Sequence, residues 1–120
     1  MVDMHKPIRR RKWIKVYPVE CLDGSIRYQL EPDERSVWYD LLNFAAICNN
    51  DGIISDRDKR PFPMSFIANR LNIKEELLSR ALSKNKEEGR ITISADGIIR
   101  ITKWKTYQSE YERQKKYRKK

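Results

Sequence analysis

After Gly89 the spacing of apolar residues changes from helical to alternating, and no other feature of the chain limits its fold as much. Arg90-Ile91-Thr92-Ile93-Ser94 alternates and is β-branched, Ala95-Asp96-Gly97 turns, and Ile98-Ile99-Arg100-Ile101-Thr102 extends again. Two such runs joined through Asp-Gly predict a β-hairpin. Most of the chain between Glu34 and Gly89 has a different rhythm, so the hairpin has to be fitted to a mainly helical unit.

Val37, Trp38, Leu41, Leu42, Phe44, Ala45 and Ile47 recur at helical spacing, predicting a first helix from about Glu34 to Asn49 with Asp33 as its N-cap. Asn49-Asn50-Asp51-Gly52 stops it, and Gly52-Ile53-Ile54-Ser55 is a short β-like run. Residues 56–63 are polar and rich in turn formers, with Pro61 and Pro63 just before a second helix from Met64 to Leu71. After a break at Asn72-Ile73 the third helix runs from Lys74 to about Glu88, with Leu77, Leu78, Ala81, Leu82 and Asn85 on its core side and Gly89 ending it.

Helix, short strand, helix, tight turn, helix, hairpin is the order of a winged helix-turn-helix. The expected fold is therefore mainly α with a small β-sheet: three helices and a hairpin wing, with Ile53-Ile54 as the first of three strands. The expected core combines Trp38, Leu41, Leu42, Phe66, Ile67, Leu71, Leu78, Leu82, Ile91, Ile93, Ile99 and Ile101. Upstream, Trp13-Ile14-Lys15-Val16-Tyr17 alternates like a half-buried strand or an extended arm. Downstream, Trp104 is expected to fold back onto the core, and a tail from Ser109 can be helical, with Glu112 and Lys116 a favourable i,i+4 pair. The expected division is a basic arm over 1–12, a winged-helix domain over 13–106 and a basic tail or linker over 107–120.

The 120 residues fit one domain, and 36% of them are charged where about 25% is usual. The net charge of +9 is concentrated at the ends: residues 1–20 carry +4, residues 100–120 carry +7, and the span between them carries −2. Such ends attract polyanions through long-range fields and counterion release. No apolar run approaches the roughly 18–20 residues of a membrane helix, and the basic first residues lack the apolar stretch of a signal peptide, so a cytoplasmic location is expected.

Several chemistries lack their residues. His5 is the one histidine, and Cys21 and Cys48 stand 27 positions apart with no CxxC, so no zinc site, catalytic triad or other metal centre is assembled. No glycine-rich phosphate loop is present. Cys48 follows Phe44-Ala45-Ala46-Ile47 and reads as a small buried hydrophobe, and Cys21 lies near a turn without an assigned role. Glu75-Glu76 and Glu87-Glu88 read as solvated helix positions. The expectation is a protein that is not an enzyme and takes no cofactor.

Three stretches resemble the N-terminal winged-helix domain of phage and bacterial replisome-organiser proteins of the DnaD-like group. One is Glu34-Arg35-Ser36-Val37-Trp38-Tyr39-Asp40-Leu41-Leu42 before Asp51-Gly52-Ile53-Ile54. Another is Ile67-Ala68-Asn69-Arg70-Leu71-Asn72-Ile73 leading to Leu77-Leu78. The most distinctive is Gly97-Ile98-Ile99-Arg100-Ile101-Thr102-Lys103-Trp104 followed by Tyr107-Gln108-Ser109-Glu110-Tyr111-Glu112-Arg113. The resemblance covers about Trp13 to Arg118. It implies a module for DNA binding and self-association in replication initiation, with replisome or helicase-loading proteins as further partners.

The second helix of a helix-turn-helix ordinarily enters the major groove. Here the corresponding helix would present Glu76, Ser79, Arg80, Ser83, Lys84 and Glu87, and from Lys74 to Glu88 it has four basic and four acidic residues. Arg80, Lys84, Ser79 and Ser83 are candidate groove contacts. The stronger candidates are peripheral: Arg9, Arg10, Arg11 and Lys12 in the arm; Arg100, Lys103 and Lys105 on or after the wing; and Arg113, Lys115, Lys116 and Arg118 in the tail. Contacts of this kind supply affinity through phosphates rather than sequence reading. Trp13, Tyr17 and Tyr28 outside the central unit are expected to pack between subunits of a homodimer. The other readings of the same residues are a winged-helix transcriptional regulator and a protein-interaction module of the replisome.

Overall fold

A computed structural model describes residues 11–108. Its elements in chain order are α1 (Pro18–Asp23), α2 (Ser25–Gln29), α3 (Pro32–Cys48), β1 (Ile53–Ile54), α4 (Met64–Leu71), α5 (Glu75–Glu87), β2 (Ile91–Ile93), β3 (Ile99–Ile101) and α6 (Trp104–Gln108). From α3 to β3 this is the winged helix-turn-helix that the spacing predicts. The strand order is β1-β3-β2 with both pairings antiparallel, so β3 is central. Ile54 and Ile93 both face Ile99, and Ile91 faces Ile101, which gives the sheet an isoleucine inner surface. Arg100 and Thr92 alternate to the exposed side.

The helix-turn-helix is made by Asn72. It takes the left-handed conformation at the end of α4 (φ 58°), and its N–H and that of Ile73 close the α4 carbonyls before α5 begins. Asn49 ends α3 in the same way. Gly52 (φ 84°) then turns the chain into β1, and here only glycine fits, because a Cβ would lie 2.5 Å from Trp104 Cβ. The α3–β1 turn and the start of α6 thus meet without a side chain between them, and Trp104 is buried as expected.

Val37, Leu41, Phe44, Ala45, Ile67, Leu78, Ala81, Ile91 and Ile99 are among the residues forming a single core between the helices and the sheet. Of the expected core, Leu42, Leu71 and Ile93 are half-buried at its margin, and Phe66 lies outside it with 45% of its surface exposed. Helical spacing alone puts Phe66 with Ile67, but Ile67 and Ala68 are the buried residues of α4. The cap of α3 is Glu31, with Pro32 and Asp33 already in the first turn. The Glu31 N–H donates to Glu34 Oε1 at 2.7 Å.

Of the two expectations for Trp13–Tyr17 the extended arm holds, since it joins no strand; the departure is the two short helices that follow it, neither with a buried residue. Elements of six and five residues with no buried stripe leave no periodic trace in a sequence. They are attached by Ile26, which packs on the core, by the buried Leu30 that follows α2, and by polar contacts: Arg35 Nη1 donates to the carbonyls of Arg27 and Leu30, and Arg90 Nη1 to Ser25 and Gln29.

Candidate nucleic-acid interface

The candidate residues fall into three groups with different surroundings. Arg9, Arg10, Arg113, Lys115, Lys116 and Arg118, with the potentially helical tail from Ser109, lie outside the described residues. Lys12, Ser79, Ser83, Arg100, Lys103 and Lys105 are exposed. Arg11, Arg80 and Lys84 make contacts inside the molecule.

Arg11 closes the N-terminal segment over the domain. Its Nη2 donates to the Gln108 carbonyl at 2.6 Å, its N–H to the Ala46 carbonyl at 3.3 Å, and its guanidinium lies 5.7 and 5.8 Å from the rings of Trp13 and Trp104. Beside it the Gln108 side chain binds Lys15 in both directions: its Oε1 accepts from the Lys15 N–H at 2.7 Å, and its Nε2 donates to the Lys15 carbonyl at 3.0 Å. Tyr17 packs on Tyr107 with ring centroids 5.1 Å apart and donates its hydroxyl to the Tyr107 carbonyl. Residues 11–17 and α6 are thus clasped together, which no local pattern announces.

Arg80 and Lys84 sit one turn apart on α5 and both reach the same carboxylate. Arg80 Nη1 donates to Glu34 Oε2 at 3.0 Å, Lys84 Nζ donates to Glu34 Oε1 at 2.8 Å, and Arg80 Nη2 lies 3.4 Å from Asp33 Oδ2. Glu34 is 0% exposed, whereas the side chains of Arg80 and Lys84 are 52% and 40% exposed. Burial pushes the Glu34 carboxyl up, but the hydrogen bonds from Lys84 and the Glu31 N–H and the two charges outweigh it. The group is held below its ordinary value. Both groove-facing cations of α5 are therefore partners of α3. The remaining exposed charges of the helix are Glu75, Glu76, Lys86 and Glu87.

The wing tip is also short of positive charge. Ser94 N–H donates to the Ile98 carbonyl and Ser94 Oγ accepts from the Ile98 N–H, both at 2.9 Å, and the tip carries Asp96, whose Oδ1 accepts from Ser94 Oγ. Its cation, Arg100, is further down β3. A groove of about 390 Å³ runs between α1, α3 and α6, walled by Tyr17, Tyr39, Leu42, Trp104 and Tyr107. Burial raises the Tyr39 and Tyr107 hydroxyls above their ordinary values. No group of histidines, cysteines and carboxylates fit to hold a metal occurs among the described residues, and no helix there is long and apolar enough to cross a membrane.

The fold and its cation pattern define a winged helix-turn-helix in which two cations of the second helix, Arg80 and Lys84, bind a carboxylate of α3. The family model of the N-terminal phage replisome organiser matches residues 26–120, and the chain belongs to that family. This gives it a replication-related role. Comparisons with curated proteins and with solved structures found no match.

Proposed function

We propose that the chain is a non-catalytic DNA-binding module of a phage-type replication initiation protein, acting in the cytoplasm and holding DNA through phosphate contacts. The observation that carries this reading is the capture of Arg80 and Lys84 by Glu34, set against net charges of +4 and +7 at the two ends of the chain. Arg9, Arg10, Lys12, Arg100, Lys103, Lys105, Arg113, Lys115, Lys116 and Arg118 then supply affinity, with Ser79 and Ser83 as neutral donors on α5. The expected arm over 1–12 and tail over 107–120 are then shortened by Arg11, Tyr107 and Gln108, which pack onto the domain, and the residues outside these act as arm and tail. Replication proteins that load the helicase are the partners this role implies.

Titration against random duplex at several salt concentrations tests the reading. A slope of roughly −0.9 per phosphate neutralised is expected, so replacing Arg113, Lys115, Lys116 and Arg118 with Ala should weaken all sequences alike and flatten the slope by roughly 3 to 4. Equal affinity and slope for this variant would remove the tail as a DNA contact.

Self-association is a second reading, favoured by the exposure of Trp13, Val16, Val19, Leu22 and Tyr28 along the N-terminal segment. A homodimer through this surface should dissociate in Leu22→Glu, measured by sedimentation. A monomeric parent chain at high concentration would count against it.

A further inference from the structure

Phe44, Phe62 and Phe66 lie ring over ring across α3, the loop before α4, and α4. The centroids of Phe44 and Phe62 are 5.4 Å apart with planes 22° from parallel, and those of Phe62 and Phe66 are 4.8 Å apart with planes 16° from parallel. Phe44 is buried and anchors the inner end, while Phe66, at the outer end, is 45% exposed. Near-parallel rings ending in an open one offer a flat apolar surface to another flat ring.

The segment that carries Phe62 and Phe66 differs in charge from α5. Residues 56–70 hold Arg57, Lys59, Arg60 and Arg70 against Asp56 and Asp58. Arg60 binds both of those carboxylates, at 3.1 and 2.9 Å, while Arg57, Lys59 and Arg70 are exposed. The Arg70 guanidinium, one helical turn beyond Phe66, lies 6.0 Å from the Phe44 ring. Two copies of the chain meeting on this face would bring like charges together, whereas a nucleic acid strand brings both the anion and the flat ring.

We propose that Phe66 is a stacking platform for an unpaired base, and that this face binds single-stranded DNA with Arg57, Lys59 and Arg70 along the backbone. The bases of a duplex are already stacked on each other, so the site selects an open strand. The inference rests on the DNA-binding reading and adds strandedness to it.

The test is fluorescence anisotropy of the full chain with labelled oligo(dT) of about 20 nucleotides and with a duplex of similar length at one salt concentration. Phe66→Ala and Phe66→Leu should each weaken oligo(dT) binding by roughly 5- to 100-fold while changing duplex binding by less than about twofold, and Phe66→Trp should retain it. Should Phe66→Ala lose its folded circular dichroism, Phe66→Leu, with apolar bulk and no ring, decides. A parent chain that binds neither probe overturns the DNA-binding reading together with this one. A parent that binds duplex, with both variants matching it on oligo(dT), overturns the stacking site alone. Weaker binding that coincides with a lower sedimentation coefficient assigns Phe66 to assembly and overturns it too.

Discussion

The two helices of the helix-turn-helix use their charges in opposite ways. On α5, Arg80 and Lys84 both reach back to the buried Glu34 of α3, so the two cations are joined to a carboxylate inside the molecule. On α4 and the loop before it, the carboxylates are gathered by Arg60, while Arg57, Lys59 and Arg70 are exposed in the same segment as the half-exposed Phe66. Residues 74–88 and residues 56–70 hold four cations each, against four carboxylates in the first and two in the second. Whether a buried carboxylate lies within reach is what separates a structural cation from an available one.

The largest expected effect is at the buried carboxylate. Glu34→Gln leaves shape nearly unchanged but removes the anion shared by both cations, and should cost about 2 kcal/mol in urea unfolding at pH 7. The pH dependence has a fixed sign. Because the folded-state pKa of Glu34 is lowered from 4.5, its contribution is present above that value and is lost as pH falls through the lower folded value. The parent and Glu34→Gln should therefore converge in stability on acidification below about pH 4.5. A constant gap down to pH 2 would break the comparison.

A smaller effect is expected at the joint between the two helices. Asn72→Ala places an ordinary side chain at φ 58° and should cost about 1 kcal/mol by the same measurement. Asn72→Gly should be neutral or slightly stabilising.

Smallest is the effect of removing the α5 cations themselves. Arg80→Ala and Lys84→Ala each leave Glu34 with its other cation, and each should destabilise the chain less than Glu34→Gln in the same urea unfolding measurement. Duplex affinity should change by less than about twofold if each is committed to Glu34. A drop of tenfold or more with altered preference among sequences would return α5 to the groove.

Much of this was legible in advance because it is local. The period change after Gly89, the Asp96-Gly97 turn and the helical spacing from Val37 to Ile47 are properties of neighbouring residues, and each became the element they predict. The helix-start signal was misread by two residues, because Pro32 at the first helical position and Glu34 reaching back to the Glu31 N–H start the helix before the better capping residue Asp33. The short α1 and α2 were invisible because neither buries a residue.

By itself, then, the sequence determined the class of fold, the order of its elements and the concentration of charge at the two ends. These follow from short-range periodicity and from composition, which need no partner across the chain. Only the tertiary structure decided that Arg80 and Lys84 belong to Glu34, 46 and 50 residues earlier, that Arg11 and Gln108 close on each other, and that Phe66 faces outward on Phe62. Each depends on which surfaces the fold brings together. A cation or an aromatic ring has the same local signature whether its partner is a buried carboxylate, another ring or water.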